Sequence, residues 1–383
     1  MRAPAGSRRS AGDVLRPVWA EVNLAHIKEN IQRINALGNS NRSLMAVVKA
    51  NAYGHGSIPV ARAAIGAGAL WLGVATPEEG IALRQAGIKA PILVLGAFFP
   101  GQEQAFIDYQ LTATAATEEA VAALCRLASG QRSFSVHIKV DTGMGRLGLL
   151  KQNVVPMAKM MAAHGVHIDG LYTHLATADE RNLDFANLQL QRFKQTQQAL
   201  DANGLRPRWL HAGNSAALFR LPMEELNLVR VGIAIYGMYP SQYVPHSLPL
   251  LPALSLHARA VAVRRLPAGS PISYGGTYVT SKETNIVTLP LGYADGFSRL
   301  LSHQAQVLMG GKRYPIVGNI AMDQCMVDVG DYQARVGEEA VLLGRQGNQE
   351  IKAEELAAAM GTINYEVICM ISARVPRVYI SAT

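Results

Sequence analysis

The strongest constraint on how this chain can fold is a count. Between residues 40 and 240, eight short apolar runs alternate with longer helical stretches. The runs cover 44–48, 71–75, 92–95, 111–114, 134–140, 170–173, 208–211 and 228–231. Parallel strands buried on both faces read as near-continuous apolar runs, and each needs a crossover before the next. Eight such units in about 200 residues match the count and size of a (β/α)8 barrel. The second run leads into Thr76-Pro77-Glu78-Glu79. There Thr76 suits an N-cap, Pro77 the first helical position, and Glu79 the closing residue of a capping box. A doubly wound open sheet would call for G-x-G-x-x-G after its first strand. Here that strand gives way to KANAYGHG, beginning at Lys49.

After about residue 240 the rhythm breaks. Residues 240–252 hold four prolines and read as a linker. Val-rich runs of alternating polarity follow at 254–264, 285–289, 305–309, 313–317, 326–329 and 339–343, with glycine turns between them. One short helix is expected at 353–360. The expected fold class is therefore α/β, a (β/α)8 TIM-type barrel followed by a mostly β C-terminal domain. The expected boundaries are a flexible tail over 1–17, the barrel over 18–243 and the second domain over 244–383.

Composition narrows the partners. Of 383 residues, 49% are apolar and 17% charged, which permits a large core and argues against disorder. The formal charge is +8, and the tail alone sets four arginines against Asp13. No dense basic run with interleaved aromatics is present, so no nucleic-acid partner is expected. Cys125, Cys325 and Cys369 are odd in number and far apart, which is neither a disulfide framework nor a zinc spacing. No apolar region follows the Arg8-Arg9 pair, and no run of eighteen apolar residues exists. The expectation is a cytoplasmic protein with no membrane partner and no metal.

Barrel chemistry sits at the C-terminal ends of the strands. Lys49 ends the first strand, Arg146 follows the fifth, and His174 ends the sixth. Asn214 and Ser215 follow the seventh strand, and Gly232 and Ile233 the eighth. The last two turns offer backbone N–H groups and a hydroxyl where barrels commonly hold phosphate. Each turn alone also fits ordinary Gly, Asn and Ser usage. Burial at a strand end favours the neutral amine that a Schiff base requires. A lone Lys49 reads better as a lysine reaching to the rim. A Schiff-base lysine opposite a phosphate site, taken together, describes pyridoxal phosphate. Lys139 points into the barrel if Val136, Ile138 and Val140 face the helices, and is half exposed in the other register. His55, His137 and His211 read as satisfied hydrogen-bonding residues, and Tyr236, Tyr239 and Tyr243 as packing or linker residues.

These motifs resemble the alanine racemase family, fold-type III pyridoxal-phosphate enzymes. AVVKANAYGHG, DTGMGRLG, YTHLATAD, HAGNSAA, VRVGIAIYG, ISYGGTY, PLGYADGFSR, VGNIAMDQ and NYEVICMISARVPRVY occur in family order across about residues 18 to 380. The resemblance implies a homodimer with shared active sites and interconversion of L- and D-alanine, supplying D-alanine for peptidoglycan. It implies that Lys49 carries the cofactor and acts as one base, with Tyr274 of the other subunit as the second. Tyr53, Ser215, Gly232, Ile233 and Tyr365 would hold the phosphate, with Asn214 beside them, and Arg230 would meet the pyridine nitrogen. His174 would link Tyr274 to Arg230. Arg146 would orient the substrate carboxylate, Met322 of the partner would touch substrate, and Tyr293 with Tyr365 would narrow the access. Lys139 matches a lysine that is often carbamylated, which would turn a buried cation into an anion facing Arg146. Gly276 stands where alanine is frequent, and Asn319 where arginine is common.

Two bases on opposite faces remove and return a Cα proton without moving the substrate. Arginine can only donate, so the implied Arg230 contact leaves the pyridine unprotonated and a weaker electron sink, which disfavours transamination. The rival readings are a broader-specificity racemase, a decarboxylase on the same fold and a non-catalytic pyridoxal-phosphate carrier. A decarboxylase would be expected to place a carboxylate where Arg230 stands. A carrier would have no need of residues 245–383.

Overall fold

In the computed structural model, which describes residues 15–37, 42–99, 101–128 and 134–380, each of the eight expected runs overlaps a strand. β1 (Val18–Asn23) precedes them. The barrel strands are β2 (Ser43–Val47), β3 (Trp71–Val74), β4 (Ile92–Val94), β5 (Ala113–Ala115), β6 (Ser135–Lys139), β7 (His167–Tyr172), β8 (Trp209–His211) and β9 (Leu228–Val231). They pair in parallel as β4–β3–β2–β9 and β5–β6–β7–β8. Both seams between these sheets carry hydrogen bonds. At one seam the Val94 N–H donates to Thr112 O and the Thr112 N–H to Ile92 O. At the other, the N–H groups of Asn227 and Arg230 donate to Leu210 O and Gly213 O. The sheet thus closes and leaves no open edge.

The barrel interior is a plug. Met45, Trp71, Leu93, Tyr172, Trp209 and Leu228 pack as one buried cluster, with Leu95 against it. Each such side chain contributes about 1.5–3 kcal/mol on full burial. Polar chemistry is therefore displaced to the strand ends, where the loops can satisfy it.

Eleven further strands follow among the described residues: β10 (Leu254–Arg259), β11 (Ala262–Leu266), β12 (Pro271–Ile272), β13 (Tyr278–Val279), β14 (Thr284–Leu289), β15 (Gln306–Met309), β16 (Lys312–Val317), β17 (Cys325–Gly330), β18 (Glu339–Gln346), β19 (Gln349–Ile351) and β20 (Arg377–Ile380). The large sheet runs β11–β14–β17–β16–β15–β18–β10–β1–β20, with β19 on β18, and β12–β13 is a separate hairpin. The expected 353–360 helix is present as Ala353–Met360. A second helix, Asn364–Met370, was not expected. The single run expected over 254–264 divides into β10 and β11, which stand at different places in the sheet order.

Contacts divide the chain into two units. Among the described residues, one holds Ile27–Ala52 and Ser57–Leu251; the other holds 15–26, Tyr53–Gly56 and 252–380. The placement of residues 18–23 in the barrel is therefore corrected. β1 lies antiparallel to β10, with Val18 opposite Ala258, and parallel to β20, with Ala20 opposite Arg377. Its partners are more than 200 residues away, so no local pattern could reveal them. The tail expected over 1–17 also ends sooner. Arg16 grips the Asp295 carboxylate with Nη1 at 2.5 Å and Nη2 at 2.8 Å, and donates to Pro290 O at 2.6 Å. Residues 1–14 lie outside the described residues.

Candidate active site

At the end of β2 the chain does something costly. Ala50, Asn51 and Ala52 have φ and ψ near +50°, and Tyr53 has φ +51°, a left-handed turn directly after Lys49. Each non-glycine residue there costs about 1–2 kcal/mol. Such strain persists only where the surroundings hold it. Glu79 supplies much of that hold: Oε1 accepts the Ala50 N–H at 2.7 Å and Oε2 the Ala75 N–H at 2.7 Å. The expected capping box is thus only half formed. Thr76 accepts from the Glu79 N–H at 3.4 Å, while the Glu79 carboxylate serves the two strand ends. Asn51 Oδ1 accepts from the Ser57 N–H at 2.9 Å, which ties the turn to the next helix. Lys49 itself is half-buried.

The next strand ends gather cations. Arg230 on β9 is buried and donates only to neutral acceptors. Nη1 reaches His211 Nδ1 at 2.9 Å and His211 O at 3.1 Å. Nη2 reaches Thr173 O at 2.8 Å, Ala212 O at 3.1 Å and His174 Nδ1 at 3.2 Å. Because arginine only donates, both of these Nδ1 atoms are acceptors and both rings carry their proton on Nε2. His211 Nε2 then donates to His137 Nδ1 at 2.9 Å. Burial, then the Arg230 charge, lowers His137 to about 3 and holds His174 and His211 well below the usual range. All three are neutral. Burial also lowers Arg230 to about 10, still cationic at neutral pH.

Lys139 is buried, so it takes the inward register. Its ammonium lies 5.5 Å from the Tyr172 ring centroid, and Arg230 lies 5.3 Å from the same ring. Burial first, then Arg230, Arg146 and Lys49, lowers Lys139 to about 8, with Asp141 acting the other way. Arg146 is exposed on the loop after β6. The Asp141 carboxylate shapes that loop by accepting the N–H groups of Gly143, Met144 and Gly145 at 2.8–2.9 Å. Gln189, which sequence reasoning missed, braces the same region. It donates to Thr142 Oγ1 and to His174 O, and accepts from the Ala176 N–H at 2.8 Å.

After β8 and β9 the two small turns meet. Ser215 Oγ accepts from the Gly232 N–H at 3.1 Å and from the Ala234 N–H at 3.5 Å, and Ile233 is buried beside them. Asn214 Oδ1 caps the Ser215–Arg220 helix by accepting from the Ala217 N–H. That contact accounts for this asparagine by structure alone.

In the second unit, Tyr53 and Tyr365 are ring neighbours, with centroids 6.0 Å apart. Burial raises the Tyr53 phenol far above its ordinary range, so it is a donor. Tyr274 sits at the tip of the β12–β13 hairpin and is 70% exposed. Met322 and Tyr293 are exposed as well. Among the described residues, no group of three or more His, Cys, Asp or Glu could hold a metal. No helix among them is long and apolar enough to cross a membrane.

Residues 22–240 match the family profile described as alanine racemase, N-terminal domain, and residues 253–379 match alanine racemase, C-terminal domain. The chain belongs to the alanine racemase family. It is an isomerase (EC 5.1.1.1) of a family that uses pyridoxal phosphate. The alanine racemase of Carboxydothermus hydrogenoformans is 48% identical over 370 residues, covering 96% of this chain and 100% of the relative. That of Symbiobacterium thermophilum is 49% identical over 372 residues, covering 96% and 98%. The crystal structure of Bacillus anthracis alanine racemase with bound L-Ala-P aligns with a TM-score of 0.91 at 40% identity, covering 96% of each chain. The alanine racemase fold of an N-terminal α/β barrel and a mostly β C-terminal domain is therefore the fold of this chain.

Proposed function

We propose that this chain interconverts L- and D-alanine by a two-base mechanism on pyridoxal phosphate, with Lys49 of one subunit and Tyr274 of a partner copy as the bases. The observation that carries the reading is the charge at the barrel's strand ends. Lys139, Arg146 and Arg230 make no ion pair with a carboxylate among the described residues. Uncompensated cations of this kind fit an anionic ligand set, namely a phosphate and a substrate carboxylate. The donor types fit as well: Ser215, with the backbone at Gly232 and Ile233, would cradle the phosphate, and the Tyr53 and Tyr365 phenols would add further donors.

Pyridoxal phosphate, when bound, takes up the substrate amino group covalently and draws electrons from Cα. The rest is the work of the chain. Lys49 holds the cofactor, then receives or returns the Cα proton at Nζ. Tyr274 does the same at its phenolic oxygen on the opposite face, so the substrate need not turn over. Arg230, cationic and committed to donating, meets the ring nitrogen without ever giving it a proton. His174, neutral and fixed in its tautomer by Arg230, presents Nε2–H and links Arg230 to Tyr274. Arg146 orients the substrate carboxylate. Met322 of the partner touches the substrate, and Tyr293 with Tyr365 narrows the access. A Lys139 amine with its lowered pKa is suited to carbamylation, which would replace a buried cation beside Arg230 with an anion. The exposure of Tyr274 and Met322 supports a homodimer with shared sites, and a cytoplasmic role supplying D-alanine for peptidoglycan fits this reading.

Borohydride reduction of the purified, cofactor-loaded protein followed by peptide mapping tests the reading. The expected attachment is at Lys49. Attachment elsewhere, or racemisation that survives Lys49→Ala, would overturn it.

A further inference from the structure

We infer that Asn319 is a positioning residue for Tyr274, clamping the turn that carries the phenol from behind. This rests on the two-base reading above. Tyr274 lies on a turn that its own sequence does not hold firmly. Ser273 has φ +63°, Gly275 +77° and Gly276 +52°, so three of the four residues 273–276 are left-handed. The hairpin beneath is only two residue pairs long, Pro271 with Val279 and Ile272 with Tyr278. Hairpins that short are marginal without external support.

The support comes from the turn after β16. Asn319 Nδ2 donates to the Tyr274 carbonyl at 2.8 Å, and Ser273 Oγ donates back to Asn319 O at 2.5 Å. The two contacts bracket the Ser273–Tyr274 peptide. The loop approaches so closely that a Cβ on Gly318 would lie 2.7 Å from Ile272 O and 2.9 Å from Ser273 Cβ. Gly318 also has φ +69°, so the approach demands glycine twice over. The tip has room to move on another side, where Tyr274 borders a concavity of about 440 Å³ lined in part by Arg264, Thr288 and Gln324. Proton transfer depends on a heavy-atom approach within hydrogen-bond reach, and small misplacements are costly. Removing one clamp bond therefore costs rate at the tyrosine face and leaves the lysine face intact.

The test uses the holoenzyme with Asn319→Asp, which keeps size and removes the donor. Turnover is measured in both directions with ordinary and Cα-deuterated alanine, beside Tyr274→Phe as reference. The expected result is a loss of about tenfold in kcat, the scale of one lost hydrogen bond, with KM within about twofold. The isotope effect should rise in the direction in which Tyr274 takes the proton and fall in the other. Unchanged kinetics, a change confined to KM, or isotope effects that move together would overturn the inference while leaving the two-base reading standing. Full racemisation by Tyr274→Phe would overturn both. Ser273→Ala releases the same loop from the other side and is read identically if Asn319→Asp is not recovered folded.

Discussion

Two turns carry the proposed bases, and they are built in opposite ways. The turn after Lys49 runs left-handed through four non-glycine residues and is tied to neighbouring strand ends by Glu79. The turn at Tyr274 uses two glycines and a serine for the same sign of φ, and its tyrosine stands 70% exposed. The first stores strain against a closed barrel that does not yield. The second relieves strain with glycine and relies on one neighbouring loop. A rigid lysine and an adjustable tyrosine suit a site in which the tyrosine is supplied by a second chain.

The largest effect should come from the lysine. Lys49→Ala is expected to remove the visible absorption of bound cofactor and to lower turnover by about a thousandfold or more. Next is the other face. Tyr274→Phe is expected to lose about a hundredfold or more in racemisation while retaining the cofactor absorption. Mixing these two inactive variants should restore activity if the sites are shared. Confirmed heterodimers without recovery would refute sharing, and with it the reason offered for the exposed turn.

Smaller changes sharpen the contrast in rigidity. Glu79→Gln leaves one of two strand-end N–H groups facing a donor, at a cost of about 1–3 kcal/mol in urea unfolding. No change there would mean that the barrel holds the left-handed turn without it. A pH effect is expected beneath the Tyr293 turn. Burial works against ionising Asp295, but the Arg16 hydrogen bond, the Gly292 N–H and the charges of Arg16 and Arg374 outweigh it and depress its pKa. The folded state therefore binds fewer protons than the unfolded one. The stability this contributes is complete above the ordinary carboxylate value of about 3.9 and is lost as pH falls through the depressed folded value. In Arg16→Ala, burial gains ground, the folded pKa rises, and acid unfolding followed by circular dichroism should begin at higher pH. The smallest effect is expected from Gly276→Ala, where φ +52° asks alanine to adopt a left-handed conformation at about 1 kcal/mol.

Much of the site was readable because barrels place chemistry by rule. Lys49, His174, Ser215 and Gly232 each stand at a strand end that hydrophobic runs alone locate, and Arg230 and Lys139 lie on strands where burial gives a cation meaning. What escaped was reach across sequence. Glu79 was read as a helix cap because Thr76 is three residues away, whereas its second partner, Ala50, is 29 residues away. Gln189 carried no motif, and Tyr172 opened one without being assigned a role, yet one braces His174 and the other lies beneath both Lys139 and Arg230. Asn319 stands out in the sequence only as an asparagine where arginine is common, and its bond to the Tyr274 carbonyl spans 45 residues.

Periodic burial is a local property. Apolar spacing and turn chemistry were therefore enough to announce eight barrel strands, a β-rich second half and a lysine at the end of the first barrel strand. Pairing between distant segments is not local, because any apolar strand can serve many partners until packing chooses one. That choice carried β1 out of the barrel and onto β10 and β20, and set the Arg16 guanidinium on Asp295. It also gave each base its footing, a carboxylate beneath one turn and an amide beneath the other.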